Sequence, residues 1–252
     1  MVEHKTKPSY SRENKVVLVV DEDADNLSHI STLLVRFGYQ TLKATAGRQG
    51  FATTTSLMPS LVIISLDLPG MNGFKLIRQL KNSPVTAHIP LVGLIRQDNR
   101  ELKDRCLEHG AVGYLCHPIE PEMLYRAVQS ATEKNPRTSM RIRAVLPVKV
   151  YSSQQDSLYG AYTLALSTGG MFLRTMNPVS ANSEISLEFE LNGRSIAADT
   201  VVLYNCQARG GPCEESGIGL RFVDISRKDQ DVIRQFIKNE VMKGIPSGSA
   251  QQ

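Results

Sequence analysis

The stretch VVLVVDEDADN, residues 16–26, decides how the first half of the chain folds. Five consecutive apolar residues, Val16 to Val20, are too few for a helix and too uniformly apolar for a strand with one wet face. They read as a strand buried on both sides. The acidic run that follows combines a loop with a helix-start signal. Leu27, Ile30, Leu33, Leu34 and Phe37 then recur at helical spacing, and Gly38 closes the segment.

The same alternation continues downstream. A strand near 40–44 precedes a weak helix near 48–57. LVIIS (61–65) is the next buried strand, and 73–80 reads as a helix. Pro90 opens the strand LVGLI (91–95). A helix near 100–109 leads to a short strand at 113–115. Met123, Leu124, Ala127, Val128 and Ala131 mark a last amphipathic helix. Five strands alternating with five helices predict a doubly wound α/β unit with a five-stranded parallel sheet.

EKNPRTS (133–139) breaks this rhythm as a polar, proline-containing linker. Beyond it the apolar period becomes two. Leu146, Val148 and Val150 alternate with other residues, as do Ile185, Leu187, Phe189 and Leu191, and again Ile218, Leu220 and Phe222. STGG (167–170), LNG (191–193) and RGGP (209–212) are turn signals. The pattern predicts an all-β second unit, a small antiparallel barrel. Val232, Ile233, Phe236, Ile237 and Val241 mark a C-terminal helix that covers an open side of it. Residues 1–13 and the tail GIPSGSAQQ are expected to be disordered.

Composition supports a globular, two-domain protein: 252 residues, 41% hydrophobic, with a formal net charge of +4. That mild positive excess does not make a nucleic-acid-binding face. The N-terminus lacks the apolar core of a signal peptide, and no run reaches the ~18 apolar residues of a membrane helix. A cytoplasmic location without membrane insertion is therefore expected. Cys106, Cys116, Cys206 and Cys213 form no C-x-x-C pair and read as reduced thiols, with a Cys206–Cys213 hairpin disulfide as the alternative.

In an open α/β sheet, ligands bind beyond the carboxyl ends of the strands. Asp21 and Glu22 end the first strand, and Asp67 follows the third. Three carboxylates gathered there would repel one another unless a hard cation such as Mg²⁺ joined them. A carboxylate beside that ion is a phosphoryl acceptor in waiting. VVLVVDEDADN, SLDLPGMNGFKLIRQL, HIPLVGLIR and GAVGYLCHPIEP, in this order and spacing, resemble the signature segments of response-regulator receiver domains (flavodoxin-like) over about residues 14–133. The resemblance implies Asp67 as phosphoacceptor, Asp21, Glu22 and Asp67 as Mg²⁺ ligands, a histidine kinase as partner, and a cis His117–Pro118 bond. Two positions depart from the family pattern. Ile95 stands where a Thr or Ser normally bonds the phosphoryl group, and His117 where a Lys normally does.

In the second unit, RTSMR (137–141) sets two guanidiniums four residues apart, a pair that can grip phosphates bidentately and stack on purines. With LPVKV, ALSTGGMFL, GIGLRFVDIS and the helix after them, it resembles the PilZ domain over about residues 136–243. That likeness implies cyclic di-GMP as ligand, with Arg137 and Arg141 on its phosphates and guanines and Ser167 and Gly170 shaping the pocket floor. The family's Asp or Asn is here Ala165, which offers a guanine edge no oxygen.

Taken together, the resemblances imply a non-enzymatic signalling effector. It senses cyclic di-GMP through the barrel and relays the signal through the atypical receiver to other signalling or motility proteins, with a homodimer among the assemblies implied. Two alternatives stay open: an interaction scaffold in which both sites are relics, and a phosphorylation-driven regulator using Asp67. The sequence lacks a P-loop, a G-x-S-x-G elbow and a metal-hydrolase His cluster, and no helix-turn-helix pattern follows the receiver. Turnover and DNA binding are therefore not expected.

Overall fold

The computed structural model of the chain describes residues 15–151, 161–176, 179–206 and 215–245. The segments expected to be disordered, 1–13 and most of the tail, lie outside these residues, as does the RGGP turn. The chain separates into two compact units that meet between Thr138 and Ser139.

The first unit alternates strands and helices: β1 (Val16–Val20), α1 (Ala24–Arg36), β2 (Gln40–Ala44), α2 (Gly47–Leu57), β3 (Leu61–Ser65), α3 (Gly73–Asn82), β4 (Leu91–Ile95), α4 (Arg100–Glu108), β5 (Gly113–Cys116) and α5 (Pro121–Thr132). The strands form one parallel sheet in the order β2-β1-β3-β4-β5. Every residue of β3 and β4 is buried, which is why LVIIS and LVGLI carry no alternation. The helix-start signals act as caps. The Asp23 side chain accepts from the N–H groups of Asp25 and Asn26, Asn72 caps α3, and Asn99 caps α4. Gly73 lets the first turn of α3 rest directly on the end of β3, since a Cβ there would lie 2.3 Å from the Ser65 carbonyl oxygen.

The second unit consists of β6 (Arg141–Arg143), β7 (Val148–Tyr151), β8 (Tyr162–Ser167), β9 (Gly170–Arg174), β10 (Glu184–Leu191), β11 (Arg194–Cys206), β12 (Gly217–Ile225) and α6 (Arg227–Met242). Its antiparallel sheet runs β6-β8-β9-β12-β11-β10-β7. The sheet curls until its ends meet. The chain leaving β6 keeps bonding to β8 through Ala144, Leu146, Pro147 and Val148, then passes to β10 as β7. Asn192 and Gly193, both with positive φ, make the two-residue turn between β10 and β11 that the LNG signal predicts. Ile185, Leu187, Phe189 and Leu191 all point inward, with Ile196, Val202, Ile218 and Leu220. On α6, Ile233 and Ile237 are buried, Asp229 pairs with Arg194 at 2.7 Å, and Gln230 reaches the Thr168 carbonyl.

One expectation changes. Cys206 is disulfide-bonded, so the four cysteines are not all reduced; Cys213 lies outside the described residues. Cys106 and Cys116 are free. His117–Pro118 is cis, as the resemblance implies. Among the described residues no helix is long and apolar enough to cross a membrane.

Candidate functional site

At the carboxyl edge of the parallel sheet, Asp21 is fully buried immediately after β1. Its Oδ1 accepts from the Asp23 N–H at 3.1 Å, while its Oδ2 is buried without a hydrogen-bond partner. Burial pushes the Asp21 carboxyl above the usual range, against the opposing pull of the Asp23 N–H and the Arg96 guanidinium. Arg96 is the nearby cation. Its Nη2 donates to Glu22 Oε1 at 3.3 Å and lies 3.9 Å from Asp21 Oδ1. His117 stands beyond β5, its Nε2 buried and unbonded, and burial pushes its pKa down despite the attraction of Asp21.

Asp67 does not join this group. The chain leaves β3 at Ser65, and Leu66 and Leu68 both turn inward, 3% and 7% exposed. Asp67, between them in the loop after β3, is exposed. Among the described residues, no three His, Cys, Asp or Glu side chains lie close enough to share a metal ion. The expected triad of Asp21, Glu22 and Asp67 is therefore not assembled. The side chain at the end of β3 is Ser65, 1% exposed, with its hydroxyl unbonded. Receiver domains bind Mg²⁺ as a family, but the donor set in this chain does not fit it. One fully buried carboxylate and one half-exposed carboxylate already face a guanidinium, and the third, Asp67, is exposed and does not cluster with them.

In the barrel, Arg141 opens β6 opposite Ser167, and the Ser167 Cα pairs in turn with Gly170 across the β8–β9 turn. Ser167 is buried, and its hydroxyl donates to the Gly170 carbonyl at 2.9 Å. Gly170 is required by packing: a Cβ would lie 2.0 Å from the Leu220 carbonyl oxygen. The Arg141 side chain is exposed and has no hydrogen bond or ion pair among the described residues. The Arg137 N–H donates to Gln129 Oε1 at 3.2 Å, so its backbone is tied to α5.

The sequence reading missed three further groups on the same outer face of the barrel. Arg143 is exposed and sits directly opposite Ala165. Arg221, also exposed, is the partner of Gly170 on β12. Phe172 lies opposite Ala165 on β9, and its ring leans on Tyr204 with centroids 6.4 Å apart. Gly219 makes room for that pair, since a Cβ there would fall 2.4 Å from the Tyr204 ring. The small residues Ala165, Ser167 and Gly170 thus form a low floor with arginines on both sides and half-exposed rings at one end. The i, i+2 spacing from Arg141 to Arg143 was the legible signal, since it places both on one face of a strand.

A parallel-sheet unit with an acidic edge, joined to a curled antiparallel barrel with a cationic outer face, defines a two-domain signalling protein. The response regulator receiver domain family matches residues 17–129, and the PilZ domain family matches residues 134–239. The chain is a receiver domain followed by a PilZ domain, and through the latter it is linked to cyclic di-GMP signalling. Neither domain family is catalytic. Over 116 residues, 46% of the chain, it is 34% identical to the response regulator PleD of Caulobacter vibrioides, covering 26% of that protein. It is 30% identical to protein PilH of Pseudomonas aeruginosa over 45% of the chain and 94% of PilH. It is 27% identical to a probable cyclic di-GMP phosphodiesterase of Vibrio cholerae over 65% of the chain and 40% of that protein. The structure of the chemotaxis response regulator CheY4 of Vibrio cholerae aligns with 46% of the chain and 98% of CheY4, at 26% identity and a TM-score of 0.44. The chain thus spans about a quarter of PleD and less than half of the phosphodiesterase.

Proposed function

We propose that the protein is a non-enzymatic cyclic di-GMP effector whose barrel binds the dinucleotide on the outer face of β6, β8 and β9. Arg141 carries this reading. It is an exposed guanidinium with no partner among the described residues, held by strand pairing next to Ser167 and the Gly170 turn. A buried or paired arginine would have to break existing bonds to receive a phosphate, whereas this one gains charge-assisted bonds at little cost. Arg137 is the second phosphate ligand that the RxxxR resemblance implies. Ser167 and Gly170 shape the floor rather than contact the ligand, since the Ser167 hydroxyl already bonds within the turn. Arg143 stands across from Ala165 and supplies a polar group where Ala165 supplies none. A guanidinium there can donate bidentately to a guanine O6/N7 edge.

In this reading the receiver serves as the partner-docking module that carries the signal onward. Phosphorylation of Asp67 is not part of it, because Asp67 is exposed and forms no metal-holding cluster with Asp21 and Glu22 among the described residues. Ala165 favours the second reading, a scaffold whose barrel has lost its ligand. Thermal-shift titration with cyclic di-GMP separates the two. The effector reading predicts a saturable rise in Tm that Arg141→Ala removes; a scaffold shows no rise in either protein.

A further inference from the structure

We propose that Arg96 takes the place of the divalent cation at the receiver's acidic edge, so that this unit holds its state without metal and without phosphorylation. The sheet order places β4 two strands from β1, with β3 between them. Arg96, the residue after β4, therefore reaches Glu22 across the end of β3. That span is about two strand spacings, ~10 Å, which only a long side chain bridges. The strand between them, β3, ends in Ser65, a buried neutral side chain that brings no charge.

The consequences follow from charge. Asp21 and Glu22 are adjacent carboxylates, one of them fully buried, and they need a counter-charge. A guanidinium is permanently protonated and supplies it at every physiological pH. Because it is tethered, it acts at high effective concentration, and a free Mg²⁺ would have to expel a like-charged group to enter. The neighbouring substitutions point the same way. Ile95 offers no donor to a phosphoryl oxygen, and His117 stands where the family carries a permanently charged Lys. Among the described residues no three carboxylate, histidine or cysteine side chains gather at this edge, and the two carboxylates that do, Asp21 and Glu22, are already matched by Arg96.

The test is ¹⁵N NMR of the full chain titrated with Mg²⁺, then with Mg²⁺ plus beryllium fluoride, for wild type, Arg96→Ala and Arg96→Gln. The wild-type amides of Asp21, Glu22 and Ser65 should stay unmoved through millimolar Mg²⁺. Both variants should show saturating Mg²⁺-dependent shifts, with affinity tighter than wild type by about ten-fold or more, because the like charge is gone. Having two variants protects the test against one that folds poorly. Wild-type shifts that saturate with the affinity of the variants overturn the proposal. So does silence in all three proteins, since Arg96 would then not be what excludes the ion.

Discussion

Arg143 and Ala165 are Cα partners across the antiparallel pair of β6 and β8. The position that offers a ligand nothing is thereby matched, on the next strand, by an exposed guanidinium. Arg143→Ala should weaken cyclic di-GMP binding about ten-fold, the worth of one charge-assisted hydrogen bond. Because the side chain is exposed, Tm without ligand should change little. Calorimetric titration of the variant checks both, and unchanged affinity would remove Arg143 from the site.

Gly170 is the motif residue with a purely steric role. Gly170→Ala sets a methyl group against the Leu220 carbonyl, 2.0 Å from where the Cβ must stand. Strand β9 must shift away from β12, so the barrel should lose about 1–3 kcal/mol. Chemical denaturation should show a lower midpoint for the barrel transition. A wild-type midpoint together with lost nucleotide binding would instead make Gly170 a ligand contact.

Cys106 is buried against Gly93 in β4, and burial pushes its thiol up to about 11. Thiolate is the reactive form, so Cys106 should resist alkylation at pH 8 until the receiver unfolds. Mass spectrometry after timed iodoacetamide exposure, with and without denaturant, reads this directly. Rapid native labelling would show that the α4–β4 packing opens.

His29 is half-buried with an unbonded Nδ1, and burial lowers its pKa from the ordinary 6.5. His117 is lowered for the same leading reason. A folded-state pKa below the unfolded one means the unfolded chain binds more protons in the interval between them. The histidines' contribution is therefore complete above pH 6.5 and is lost as pH falls through the folded values. Receiver stability should fall as pH drops from 7.5 toward 5, and His29→Gln should flatten that slope. Tm measured across this range, at fixed ionic strength, is the check; an unchanged slope in the variant contradicts the assignment.

The α/β unit was legible because its signals are local and redundant. VVLVV, LVIIS and LVGLI are strands buried on both faces, and each is followed by a capped or glycine-ended helix. The barrel was legible through period two and the LNG turn. The receiver site was less so. Asp67 looked like a ligand by its distance from β3, yet β3 ends at Ser65, and in the loop beyond it Asp67 stands exposed between the buried Leu66 and Leu68. Arg96 was invisible as a counter-ion because its partners lie two strands away, a relation that sheet order creates and sequence distance hides. Arg143 lies outside the four-residue spacing of Arg137 and Arg141, and its significance depends on pairing with Ala165, which only strand register reveals.

Isothermal titration of the whole chain with cyclic di-GMP, with cyclic di-AMP in parallel, tests the central claim most directly. A cationic floor that also reads guanine should bind the guanine dinucleotide with a micromolar or tighter Kd and the adenine dinucleotide far more weakly. No heat with cyclic di-GMP, from protein whose Tm confirms it is folded, would contradict the account and leave a scaffold.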